Sequence, residues 1–190
     1  MRIKIIIFVF IVAVSFSIVI FPHVKVLSQQ VDAVLATYGS IGYTYGEKLN
    51  QIRISKNFWL SEFQSRKDGT VKIDPKLITA IQLLRDTARV RININSGYRT
   101  KEEQLKLNPL LPNSYHCKGM AADICSPDCD LLYLIKYVSA ISAFRGIGLY
   151  DDHIHVDVRP EGQEYYWIYK SGRRIVGDSW EAVYRVWGEK

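Results

Sequence analysis

The chain has 190 residues, 48% of them hydrophobic and 12% aromatic, enough for one domain with its own core and too few for two large ones. A charged fraction of 23% excludes a disordered polyelectrolyte, and three cysteines are too few for a disulfide scaffold. The net charge of +6 favours an acidic partner such as an anionic polymer or lipid, but no run of Lys and Arg is interleaved with aromatics, so nucleic acid is set aside.

The first element is an uncharged apolar run from Ile5 to Phe21, preceded by Arg2 and Lys4. Its seventeen residues exceed a usual signal-peptide core and lie at the short end of a membrane-spanning helix. The leading basic residues hold that end in the cytoplasm and place the remainder outside. A small-x-small cleavage site does not follow promptly, since the nearest candidate lies at Val34 to Ala36. Residues 1–24 are therefore expected to be an uncleaved signal-anchor or transmembrane helix, with secretion as the outcome if the segment is cleaved. Residues 25–53, polar with Gly, Ser and Tyr, read as a tether and lead-in, and the domain proper is expected over 54–190.

Within that domain "FWLSEF" is an entry segment. "DPKLITAIQLLRDTARV" predicts the strongest helix: Asp74 caps it, Pro75 fits its first turn, and Leu77, Ile78, Ile81, Leu84 and Ala88 recur at helical spacing. "VRININ" alternates as a strand and ends at Ser96 and Gly97, after which Thr100 and Glu103 form a capping box for a short polar helix, "TKEEQLKL". "CDLLYLIKYVSAIS" predicts a second apolar helix. Three strand-like segments follow, "GIGLY", "HIHVDV" and "YYWIY", and "SWEAVYRVW" closes the chain as an amphipathic helix. Helices and strands mix without a regular βαβ alternation, so the class is α+β.

The chemistry-bearing residues fall in three of these segments. "SYHCKGMAADI" sets His116 and Asp123 apart by small residues, with Gly119, Ala121 and Ala122 allowing close backbone approach. In "YDDHIHVDVR" strand alternation places His153, His155 and Asp157 on one face, after Asp151 and Asp152. "NSGYRT" puts Arg99 on a turn after a strand, where a guanidinium reaches into a cleft. Together they are a kit for metal-assisted hydrolysis: three His or carboxylate ligands, a carboxylate to take a proton from water, and an Arg to hold a carboxylate or oxyanion. A structural site of Cys117, Cys125 and Cys129 lacks paired Cys-x2-Cys spacing, although Cys125 and Cys129 could close a small loop in an exported domain.

Ser114-x-His116-x-x-Gly119-x-Ala121-x-Asp123 resembles the first signature of the zinc D-alanyl-D-alanine carboxypeptidases. That family also holds D-Ala-D-Ala dipeptidases and L-alanyl-D-glutamate endolysins, and shares a metal site with the hedgehog signalling domain. "SGYRT" resembles the segment with the family's substrate-binding arginine, and "GIGLY…HIHVDVR" the segment with its last histidine. The resemblance implies a domain with a small antiparallel sheet and flanking helices, and one zinc per chain on His116, Asp123 and His155. It implies Arg99 as the residue that binds and polarises substrate, and Asp152, three residues before the last histidine, as general base, with Asp157 as its rival. His153 is expected to neighbour the ligands rather than join them, and Ser114 to hydrogen-bond around the metal loop.

The implied activity is hydrolysis of peptide bonds in peptidoglycan stem peptides, as a carboxypeptidase or endopeptidase on the outer side of a membrane. An inactive zinc-containing wall-binding module and a phage-type signal-anchor endolysin are the alternatives.

Overall fold

The computed structural model describes residues 52–170 and 172–188. The expected membrane helix, and all but the last residues of the tether, lie outside them. Among the described residues no helix is long and apolar enough to cross a membrane.

Six strands form one mixed sheet, β1 (Asn93–Ser96), β2 (Ala121–Cys125), β3 (Gly146–Leu149), β4 (Ile154–Asp157), β5 (Tyr165–Lys170) and β6 (Arg173–Gly177), in the spatial order β1-β2-β4-β3-β5-β6. Among the described residues four helices accompany them: α1 (Pro75–Ala88), α2 (Lys101–Leu107), α3 (Leu131–Val138) and α4 (Trp180–Gly188). The class is α+β as expected, but the sheet is not purely antiparallel. β3 and β5 run parallel, because β4 returns between β3 and β2 and leaves the other edge of β3 for β5.

The helices form where local chemistry favours them. The Asp74 side chain accepts from the Lys76 N–H at 2.8 Å, with Pro75 in the first turn, and α1 buries Leu77, Ile78, Ala80, Ile81, Leu84 and Ala88. Asp130 caps α3 by accepting from the Tyr133 N–H at 2.7 Å. That helix stops at Val138, short of the expected "SAIS". Thr100 caps α2, but the Glu103 carboxylate turns away from a reciprocal box and accepts instead from the Ser65 hydroxyl at 2.9 Å.

Pleating gives the sheet two different faces. Ala122 and Ile124, Ile147 and Leu149, Ile154 and Val156, and Ile168 belong to a core cluster that includes α1 and α3 residues such as Leu77, Ile81, Leu84, Leu134 and Val138. The alternate positions, Asp123 on β2, Gly146 and Gly148 on β3, His155 and Asp157 on β4, and Tyr165 and Trp167 on β5, share the opposite face. The helical core thus fixes, from beneath, the strands that carry the polar residues above.

Candidate metal centre

Asp123 and His155 are direct cross-strand partners in the β2–β4 ladder, so their side chains rise together from the same face. His116 arrives from a separate 3-10 turn, Tyr115–Lys118, which Ser114 caps by accepting from the His116 N–H at 3.3 Å. The turn ends at Gly119, whose φ of 73° lies in the left-handed region. A Cβ there would stand 2.5 Å from the Lys72 carbonyl oxygen, so both conformation and space call for glycine.

Three atoms converge. His116 Nε2 lies 3.2 Å from Asp123 Oδ1 and 3.1 Å from His155 Nδ1, and His155 Nδ1 lies 2.9 Å from Asp123 Oδ1. The outer nitrogen of each ring is already committed. His116 Nδ1 is 2.7 Å from the Gly97 carbonyl oxygen, which can only accept, so Nδ1 holds the proton and Nε2 offers a lone pair inward. His155 Nε2 is 3.2 Å from Asp157 Oδ2 and donates to it, which turns Nδ1 inward. A tetrahedral zinc ion with bonds of about 2.0–2.1 Å spaces its ligands about 3.3 Å apart. The donor set and its spacing fit such an ion, and the three residues form a cluster able to hold a metal.

A ring of polar groups holds these three in place. Asp123 Oδ2 accepts from Arg99 Nη2, while Arg99 Nε donates to Ser96 Oγ at 2.9 Å. The Arg99 guanidinium therefore sits against the Asp123 carboxylate. Asp157, fully buried, receives Arg159 Nε at 2.7 Å and Nη2 at 2.6 Å in addition to His155. With both oxygens engaged, Asp157 orients His155 and is a poor proton acceptor. Its neighbours also leave no room at Gly146, where a Cβ would fall 2.0 Å from the Asp157 carboxylate.

Asp152 lies at the mouth of the site, its side chain 83% exposed, and reaches it through a neighbour. Asp152 Oδ1 is 2.6 Å from His153 Nδ1, and His153 Nε2 on the other side of the ring lies 3.9 Å from Asp123 Oδ1. The imidazole is stacked on Tyr150, with centroids 4.4 Å apart, which fixes its plane. The structure thus places His153 between Asp152 and the metal cluster. Sequence reasoning put His153 on the right face but assigned it no work; the alternation in "HIHVD" was the available signal.

Electrostatics separate the groups. Burial pushes the His116 imidazole down and keeps it neutral. Burial opposes ionisation of Asp123, yet His116 and His155 beside it hold its carboxyl well below the usual range. Burial likewise opposes charge on His155, but hydrogen bonds to Asp123 and Asp157 push it up to about 9. All three cysteines are free thiols, and none belongs to the metal cluster.

Beyond the cluster the same sheet face continues into aromatics. Trp167 packs on His155 with ring centroids 5.1 Å apart, and its Nε1 donates to the Tyr150 hydroxyl at 3.0 Å. Its ring lies over β3, where a Cβ on Gly148 would be 2.2 Å from Trp167 Cε2.

Compared with known families, residues 56–157 match the family model described as Peptidase M15, a span that includes Arg99, His116, Asp123, Asp152 and His155. No curated protein matches the chain.

Proposed function

Since this chain belongs to the peptidase M15 family, and so to peptidases of metal-dependent type, we propose that it is a zinc enzyme that hydrolyses peptide bonds in peptidoglycan stem peptides. The observation that carries the reading is the convergence of His116 Nε2, Asp123 Oδ1 and His155 Nδ1, each aimed inward by a partner on the far side of its own side chain. Zinc held by these residues would supply Lewis acidity, polarising the scissile carbonyl and lowering the pKa of water.

The chain's own groups supply the rest. His153 Nε2 accepts the proton of the attacking water, and Asp152, hydrogen-bonded to Nδ1, stabilises the imidazolium that results. His153 then returns the proton to the leaving amine. Asp152 thus acts as the base through His153. Arg99 keeps Asp123 aimed at the cluster and places positive charge beside the substrate. Asp157 and Arg159 keep His155 in the tautomer that presents Nδ1.

The net charge of +6 suits an anionic wall substrate, and the apolar run from Ile5 to Phe21 suits a tether that leaves the catalytic domain outside the cytoplasm. Digestion of purified muropeptides, read by mass spectrometry, tests the reading. Release of free D-amino acid or of shorter stems, abolished by chelation and restored by zinc, is the expected result. Full zinc content without turnover would instead make the protein a wall-binding module.

A further inference from the structure

Four arginines at or near the sheet and its flanks each pair with a carboxylate. Arg99 meets Asp123, Arg159 meets Asp157, Arg145 meets Glu161 and Glu164, and Arg91 meets Asp128. Arg174 differs. It is exposed on β6, its register partner is Tyr169, and among the described residues it makes no ion pair with a carboxylate. Its guanidinium instead lies over two rings, 5.3 Å from the Tyr165 centroid and 5.1 Å from that of Trp167.

Stacking of this kind fixes the plane of a guanidinium while leaving its edge N–H groups free, and that edge is what grips a carboxylate through two parallel hydrogen bonds. The platform is continuous with the metal cluster, because the Trp167 ring that carries Arg174 on one side packs on His155 on another. The two contacts place Arg174 at most about 10 Å from the His155 ring. An extended peptide covers that span in about three residues.

We infer that Arg174, stacked over Tyr165 and Trp167, anchors a substrate carboxylate within about three residues of the bond that is cut, so that the enzyme selects acidic peptides. The inference rests on the peptidase reading above and adds to it a specificity residue outside the matched span. The carboxylate belongs either to the peptide C-terminus or to an acidic residue within the chain.

Three synthetic peptides separate these sources: L-Ala-γ-D-Glu-L-Lys-D-Ala-D-Ala, the same peptide with a C-terminal carboxamide, and the same peptide with the free D-Glu carboxylate amidated. Each is titrated calorimetrically against the full zinc-loaded chain and its Arg174→Gln and Arg174→Lys variants, and cleavage is followed by mass spectrometry. The wild-type chain should lose roughly tenfold to a hundredfold in affinity for one of the two amides, the worth of a charge-assisted hydrogen bond. Arg174→Gln should lose as much on the unmodified peptide and nothing further on that amide, with Arg174→Lys between. Cleavage by wild type with Arg174→Gln unaffected, or affected equally on all three peptides, would overturn this inference and leave the peptidase reading intact. Carboxylate-dependent binding that vanishes in Arg174→Gln, without cleavage, would overturn the peptidase reading alone. No binding of any peptide would overturn both.

Discussion

His155 has an acid on each ring nitrogen, Asp123 at 2.9 Å and Asp157 at 3.2 Å, and this decides how the metal-free protein answers pH. Its pKa is raised from 6.5 to about 9, so at neutral pH a proton sits on Nδ1, where the ring would otherwise bind a cation. The stabilisation from that protonated ring is fully present below about pH 6.5 and is lost as pH rises through about 9. Metal must displace the proton. Apparent zinc affinity should therefore climb about tenfold per pH unit up to pH 9 and then level off, with about one proton released per ion. Calorimetry in two buffers of different ionisation enthalpy measures the release; no buffer dependence at pH 7 would contradict it. A second expectation concerns the proton acceptor. Asp152→Asn and His153→Gln should each lower kcat by roughly two to four orders of magnitude with zinc retained, and the double variant should be little worse than either single one. Additive losses would show two independent roles. Asp157→Asn should act differently, weakening zinc binding by roughly tenfold to a hundredfold, because it disturbs the partner that orients a ligand.

At the scale of elements, the close contact of β3 with Trp167 gives a sharp test. Gly148→Ala places a methyl inside the indole ring, so it should cost about 1–3 kcal/mol by overpacking or drive Trp167 off His155. Thermal melts and tryptophan fluorescence read the two outcomes, and a variant unchanged in both would show that the ring yields freely. The elements that sequence disclosed are those with local signals: the Asp74–Pro75 start of α1, the alternation of "HIHVDV", the aromatic run of β5. β2 was hidden because both of its faces are covered. Ala121, Ala122, Asp123 and Ile124 are all buried, so no polar–apolar alternation marks the strand, and alanine and aspartate are weak strand formers. β6, "RRIVG", is a mostly exposed edge strand that owes its place to β5 and α4. The parallel β3–β5 pairing joins segments separated by β4, a relation no local pattern records. The site divides in the same way. His116, Asp123, His155 and Arg99 stood out in motifs, while the roles proposed for His153 and Arg174 rest on contacts that only the fold brings together.

At the scale of the whole molecule, the tether remains a proposal with a simple test. The full chain should sediment with membranes, resist high salt, and be released by detergent, whereas a chain beginning at residue 52 should stay in the supernatant with its hydrolytic activity unchanged. Release of the full chain by salt alone would point to electrostatic adhesion of a basic protein instead. A different consequence follows from the facing positions of Asp123 and His155 in the β2–β4 ladder. A slip of one residue in either strand would turn one of the two ligands toward the helices and bring a neighbour such as Ala122 or Ile124 into its place. Misaligned chains thus lack a coordination site, and a cation binds only those whose strands have been matched correctly. At a free concentration a hundred times its dissociation constant, such an ion adds about 2.7 kcal/mol to the aligned fold alone. Zinc supplied during synthesis would then act as a proofreader of strand alignment, and the yield of soluble protein should fall when cells are starved of it.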